Sequence, residues 1–203
     1  MPAHPNHPQF WETLYQNEQF PWDLNGPTPV FQRLAKNGVF PPGKMIVLGA
    51  GRGYDAHLFA RYGFAVTAVD FAAEAIQSMQ ENNDPDYPVE IVQSDFFMLP
   101  QEWNGRYQYI LDYTCFCAIH PPRRGKYADL VARLLKPSGQ YITLVFPIGT
   151  RRGGPPYTVQ PNDIIELFAE RGFVVTHQEA RPFDSVPERQ KYEELLLLQK
   201  STG

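Results

Sequence analysis

Val47-Leu48-Gly49-Ala50-Gly51-Arg52-Gly53-Tyr54-Asp55 is the stretch on which the fold turns. An apolar run at 45–49 enters it and a helical pattern at 54–62 leaves it, so the glycines stand at a strand-to-helix turn. Glycine there lets the backbone approach a ligand, and the N-terminus of the following helix favours negative charge. Working outward, strand and helix alternate. Strands are expected at 65–70, 89–95, 107–113 and 140–146, with helices at 72–82, 124–135 and 161–172 between and after them. Lys136-Pro137-Ser138-Gly139 reads as a turn before the fifth strand. Two further strands, 173–180 and 192–199, are joined by a loop without a helix, so they form a hairpin and one runs antiparallel to the rest. The fold class is α/β: a three-layer, Rossmann-like, seven-stranded, mostly parallel sheet with an antiparallel C-terminal strand and helices on both faces.

Composition narrows the function. Of 203 residues 43% are apolar, which excludes a wholly disordered chain, and the length suits a single domain over 1–203. A net charge of -4 argues against nucleic-acid binding, which needs clustered Lys and Arg. No apolar run approaches the ~18 residues of a membrane span, and MPAHPNHPQF lacks the basic and apolar regions of a secretory signal. The two cysteines, Cys115 and Cys117, make no disulfide framework and no metal site, since C-x-C lacks two further ligands at suitable spacing. A cytoplasmic protein is expected, with no membrane or nucleic-acid partner. Oligomeric state is not legible, a monomer being the simpler expectation. Twenty prolines flank the apolar segments as punctuation, while the aromatics cluster at 10–31, 96–116 and 141–157.

The strand ends carry the chemistry. The glycine spacing is G-x-G-x-G rather than the dinucleotide G-x-G-x-x-G, a form typical of S-adenosylmethionine (SAM) enzymes. Asp70 ends the second strand, where an acid accepts ribose hydroxyls from NAD as well as from SAM. Asp95-Phe96 follows the third strand and offers a carboxylate for an adenine amine and a ring beside the base. Asp112-Tyr113 ends the fourth, beside the expected methyl donor. In open α/β sheets such strand ends surround one crevice.

With these residues in place, the chain resembles a class I SAM-dependent methyltransferase of the thiopurine methyltransferase superfamily, and within it the halide and thiol methyltransferases. The resemblance spans about residues 11–175 and rests on seven motifs. They are W-E-x-x-Y at Trp11–Tyr15, P-W-D at Pro21–Asp23, G-x-G-x-G-Y-D at Gly49–Asp55, D-Y-x-x-F-C-A-I at Asp112–Ile119, L-L-K-P-x-G at Leu134–Gly139, I-T-L-x-F-P-I at Ile142–Ile148 and G-G-P-P-Y at Gly153–Tyr157. The resemblance implies that residues 10–31 form a lid whose Trp11, Tyr15 and Trp22 close over SAM, or over its product S-adenosylhomocysteine. It implies that Gly49 and Gly51 face the methionine part, with Asp55 also on the cofactor side, that Asp70 meets the ribose and Asp95-Phe96 the adenine, and that Asp112 and Tyr113 line the donor. Cys115, Phe116 and Tyr157 are expected on the side of a small-molecule acceptor. Ala50, Cys115 and His120 depart from the family's usual residues, which leaves acceptor identity open.

Methyl transfer from a sulfonium needs positioning and desolvation more than acid–base help. A soft acceptor such as a thiol, hydrosulfide, thiocyanate or halide supplies its own nucleophilicity, so no general base is expected. Alternatives are an aryl thiol of the thiopurine kind, a selenium or tellurium species or, in a different class, an NAD-binding oxidoreductase. His120 and the Arg151-Arg152 pair stay open as acceptor contacts.

Overall fold

The computed structural model describes residues 5–17 and 20–202, so residues 18 and 19 of the expected lid lie outside the described part. Seven strands form one sheet: β1 (Lys44–Leu48), β2 (Ala65–Asp70), β3 (Glu90–Gln93), β4 (Tyr107–Tyr113), β5 (Leu135–Val145), β6 (Phe173–Ala180) and β7 (Glu194–Lys200), in the order β3-β2-β1-β4-β5-β7-β6. The helices are α1 (Pro8–Gln16), α2 (Pro29–Lys36), α3 (Tyr54–Arg61), α4 (Ala73–Glu81), α5 (Arg124–Leu134) and α6 (Pro161–Ala169). The chain divides into two compact units, Met1–Leu99 and Pro100–Gly203.

In the first unit β1 pairs in parallel with β2, and β2 with β3. The strands are short apolar runs because they are covered: Met45, Ile46, Ala68 and Val69 have no exposed surface. Proline opens α1 and α2, where its missing N–H costs nothing.

In the second unit β4 and β5 are parallel, β7 runs antiparallel to β5, and β6 antiparallel to β7. The expected hairpin is therefore β6–β7, and β7 is the reversed strand, inserted beside β5. One expectation fails locally. Residues 136–139 are not a turn ahead of the fifth strand but belong to β5, which begins at Leu135 and shifts register against β4 between Tyr107 and Tyr109. The irregularity explains the glycine: a Cβ on Gly139 would lie 2.9 Å from the Lys136 carbonyl oxygen and 3.2 Å from that of Gln108. Tyr107, Tyr127, Tyr141 and Phe168 fill this unit's core, Tyr141 and Phe168 stacking at 4.7 Å.

Candidate functional site

The first unit supplies a glycine cradle and a lid. Gly49, Gly51 and Gly53 all have φ between +56° and +78°, backbone that other residues adopt only at a cost. Two of them have a local reason. The Gly51 N–H donates to Asp70 Oδ2 at 2.8 Å, and a Cβ on Gly51 would stand 3.4 Å from the Tyr15 hydroxyl. A Cβ on Gly53 would strike Met79 Cγ at 2.5 Å, so the third glycine serves helix packing. Asp70 is buried at the end of β2, and its Oδ1 accepts from the Ala72 N–H at 3.0 Å, holding the start of α4. Burial pushes its pKa up while these N–H groups pull it down, and burial wins. Each oxygen accepts one N–H and keeps acceptor capacity for a hydroxyl. Asp95 takes the Phe97 N–H on Oδ1, which places Phe96 at the head of a single 3-10 turn.

Asp55 is committed elsewhere. Its Oδ1 accepts the Thr28 N–H at 2.7 Å and its Oδ2 the Thr28 hydroxyl at 2.8 Å. Thr28 is the N-cap of α2, so Asp55 ties the end of the expected lid segment to α3. Burial raises the Asp55 carboxyl to about 6.

The lid aromatics form one cluster. Trp22 meets Trp11 at 5.4 Å and Tyr15 at 5.7 Å, both edge-on, and Tyr15 stacks on Phe20 at 5.9 Å. Burial and the nearby Asp70 charge push the Tyr15 phenol far above its ordinary value, which keeps it a donor. Three contacts invisible in the motifs fasten the cluster. Arg52 of the glycine loop lies 4.1 Å over the Phe20 ring, its Nε is 3.3 Å from Asp23 Oδ2, and Gln16 donates to Glu74 of α4 at 3.0 Å.

The second unit builds its part largely from side chains. Asp112 is 1% exposed and fully engaged: Oδ2 accepts the hydroxyls of Tyr127 and Tyr141 at 2.6 and 2.7 Å, and Oδ1 the Phe116 N–H at 3.2 Å. Its carboxylate thus shapes the backbone from Tyr113 to Phe116, where Thr114 takes a φ of +61°. Tyr113 donates its hydroxyl to Glu193 and accepts from Arg189 Nη1 at 2.7 Å. The Arg189 guanidinium lies 5.7 Å from the Tyr113 ring centroid and 5.1 Å from that of Phe146. Neither Arg189 nor Glu193 was singled out in the sequence. They lie in the featureless stretch after β6, and nothing but the fold brings them to Tyr113.

Cys115 and Cys117 are buried free thiols. Cys117 donates to the Thr114 carbonyl, and burial with the Asp112 charge pushes its thiol up to about 12 although Arg124 and Arg189 pull it down. Phe116 packs on Tyr127 at 5.6 Å and carries the Arg124 guanidinium at 4.9 Å. Tyr157 is fixed by its N–H to the Cys117 carbonyl at 2.7 Å and meets the His120 ring edge-on at 5.7 Å. A Cβ on Gly154 would lie 2.6 Å from that Tyr157 ring, which is why the proline-stiffened loop needs glycine there. Arg151 donates to the Pro156 carbonyl at 2.8 Å and so braces this loop. Among the described residues no group of three or more His, Cys, Asp or Glu could hold a metal, and no helix is long and apolar enough to cross a membrane.

The chain is similar to known proteins. A probable thiol methyltransferase 2 of Arabidopsis thaliana is 36% identical over 80% of this chain and 73% of its own. Thiocyanate methyltransferase 1 of the same plant is 33% identical over 91% and 82%. Among solved structures, the 1,6-didemethyltoxoflavin-N1-methyltransferase of Burkholderia thailandensis superposes with a TM-score of 0.74 at 20% identity, over 98% of this chain and 91% of its own, which bears on the fold. Sheet, glycine turn and relatives together define a Rossmann-like SAM-dependent methyltransferase. More narrowly, the model of the thiopurine S-methyltransferase family matches residues 6–200, and the chain belongs to that family. The donor set suits that cofactor, since both Asp70 oxygens keep acceptor capacity for hydroxyls.

Proposed function

We propose that the chain methylates a small, soft, anionic nucleophile: a thiolate, hydrosulfide, thiocyanate or halide. One observation carries the reading. Two guanidinium groups of the second unit are set against aromatic rings, Arg124 on Phe116 and Arg189 on Tyr113 and Phe146. Guanidinium groups laid on aromatic rings favour a large polarizable anion. The names of the two plant relatives point the same way.

Bound SAM supplies an activated methyl group on a positive sulfur, which the acceptor's lone pair takes in line. The chain's own residues bind and orient. Gly49 and Gly51 receive the methionine part, Asp70 the ribose hydroxyls, and Asp95 with Phe96 the adenine. Trp11, Tyr15 and Trp22 cover the cofactor and exclude water. Asp112 acts through the backbone it holds, and Tyr113, Cys115, Phe116 and Tyr157 line the acceptor side. Cys117, kept protonated, does not compete for the methyl group. With two buried, reduced thiols the chain fits a cytoplasmic setting.

The test is an acceptor screen with iodide, thiocyanate, hydrosulfide and aryl thiols, reading methylated product by gas chromatography, alongside calorimetry with S-adenosylhomocysteine. Turnover of the first three supports the proposal. Turnover of aryl thiols alone would move the assignment to the thiopurine kind that names the family.

A further inference from the structure

We infer that Arg124 is the anion receptor of the acceptor side, holding a weakly hydrated monovalent anion on its guanidinium. The inference rests on the proposed soft anionic acceptor and names the residue that recruits it. Four arginines of this unit spend their donors on the chain. Arg171 donates to the Asp129 carboxylate, to Glu170 and to the carbonyls of Leu167 and Gly125. Arg133 donates to Asn104 and Pro100, Arg151 to Pro156, and Arg189 to the Tyr113 hydroxyl. Arg124 differs. Its Nε and Nη2 are buried, and neither has a hydrogen-bond partner.

Folds rarely leave buried charged donors unmet, because nothing then replaces the water they lose. The orphan donors call for a partner that is not part of the chain. Their setting says which kind. The guanidinium lies against the Phe116 ring, which follows the acceptor-side Cys115, and its charge acts on Cys117 and Tyr157. Asp163, in the first turn of α6, is the carboxylate that faces it, and the two form no ion pair. The receptor is thus a delocalised cation lying on an aromatic ring. A weakly hydrated cation of that kind suits an anion that gives up water easily, such as thiocyanate, iodide or an arenethiolate, over chloride or sulfate.

The experiment compares wild type with Arg124→Lys, Arg124→Gln and Arg124→Met. It reads KM and kcat for thiocyanate, the inhibition constant of perchlorate (a weakly hydrated anion that is a poor nucleophile), and S-adenosylhomocysteine affinity. Perchlorate should compete with thiocyanate in the wild type, far more strongly than chloride does. In Arg124→Gln and Arg124→Met the thiocyanate KM and the perchlorate constant should both rise tenfold or more. S-adenosylhomocysteine affinity should stay within about twofold, and Arg124→Lys should recover part of the loss. Unchanged KM and perchlorate inhibition in folded variants would overturn the inference. So would equal losses in Lys and Met variants together with weakened S-adenosylhomocysteine binding, which mark a packing role. The wild-type anion series needs no variant, and inhibition by chloride equal to that by perchlorate would also overturn it. A wild type that binds no S-adenosylhomocysteine and methylates nothing would instead sink the functional proposal itself.

Discussion

The two units solve the same problem by different means. In the first, the polar groups of the candidate site are held mainly by nearby main chain. Asp95 takes an N–H two residues on, as does one oxygen of Asp70, whose other oxygen takes an N–H 19 residues back. In the second, side chains hold side chains over long separations: Tyr113 and Glu193 are 80 residues apart, Tyr113 and Arg189 76, Asp112 and Tyr141 29. Main-chain anchoring is cheap to build and general, which suits a cofactor that never changes. A side-chain network can be altered one residue at a time, which suits an acceptor that differs between relatives.

If that contrast is right, the largest stability loss belongs to the second unit. Asp112→Ala removes the acceptor shared by the Tyr127 and Tyr141 hydroxyls and the Phe116 N–H. Hydrogen bonds to a charged group are worth about 1.5–3 kcal/mol each and do not add fully, so a loss of about 4 kcal/mol is expected in urea unfolding. A loss under about 1 kcal/mol would break the picture of a unit organised on one carboxylate.

The matching change in the first unit should strike the ligand. Asp70→Asn keeps a carbonyl oxygen for one of its N–H partners but loses the charge that would grip two hydroxyls. S-adenosylhomocysteine affinity should fall about ten- to a hundredfold, or about 1.4–2.7 kcal/mol, by calorimetry. Unchanged affinity in the folded variant would remove Asp70 from the cofactor site.

Tyr113→Phe sharpens the comparison within the second unit. It leaves the buried Glu193 and the half-buried Arg189 without the hydroxyl that joins them. A cost of about 2 kcal/mol in unfolding free energy is expected. Wild-type stability would mean that the two charges pair without the tyrosine.

The same contrast explains what the sequence could disclose. Strand and helix periodicity, the glycine spacing and the acids at the strand ends are local signals, and a sheet with one reversed strand in the C-terminal hairpin follows from them, though not that the reversed strand is β7. Gly53 and Gly154 could be seen as required, but not for what: one faces Met79 and the other Tyr157. Residues 136–139 misled because Pro-Ser-Gly has turn chemistry, which here serves an irregularity inside β5 rather than its beginning. Arg189, Glu193 and the bare donors of Arg124 were hidden for a different reason. A charged residue on a loop or at a helix start carries no mark of its partner until the fold supplies one, or leaves it without.

The smallest expected effect tests a long-range side-chain anchor of the first unit, which joins residues 27 apart. Asp55 holds Thr28, and its carboxyl is pushed up from its ordinary 3.8 to about 6, because burial penalises the charge more than the Thr28 bonds relieve it. A carboxyl raised in the fold contributes stability that is fully present below the unfolded value and is lost as pH rises through the folded one. The window is therefore from about pH 4 to just above pH 6. A shift of that size is worth at most about 3 kcal/mol, and the part of the side chain that shares solvent brings the expectation to about 1 kcal/mol. Asp55→Asn keeps an acceptor for Thr28 but does not titrate. The stability of wild type relative to Asp55→Asn should thus fall by about 1 kcal/mol between pH 4 and pH 7, read from urea midpoints at several pH values. A difference that stays flat would show that water reaches the carboxylate freely. A difference that grows with pH would mean that the ionised form is the one the fold prefers, and that Asp55 grips Thr28 as a charge.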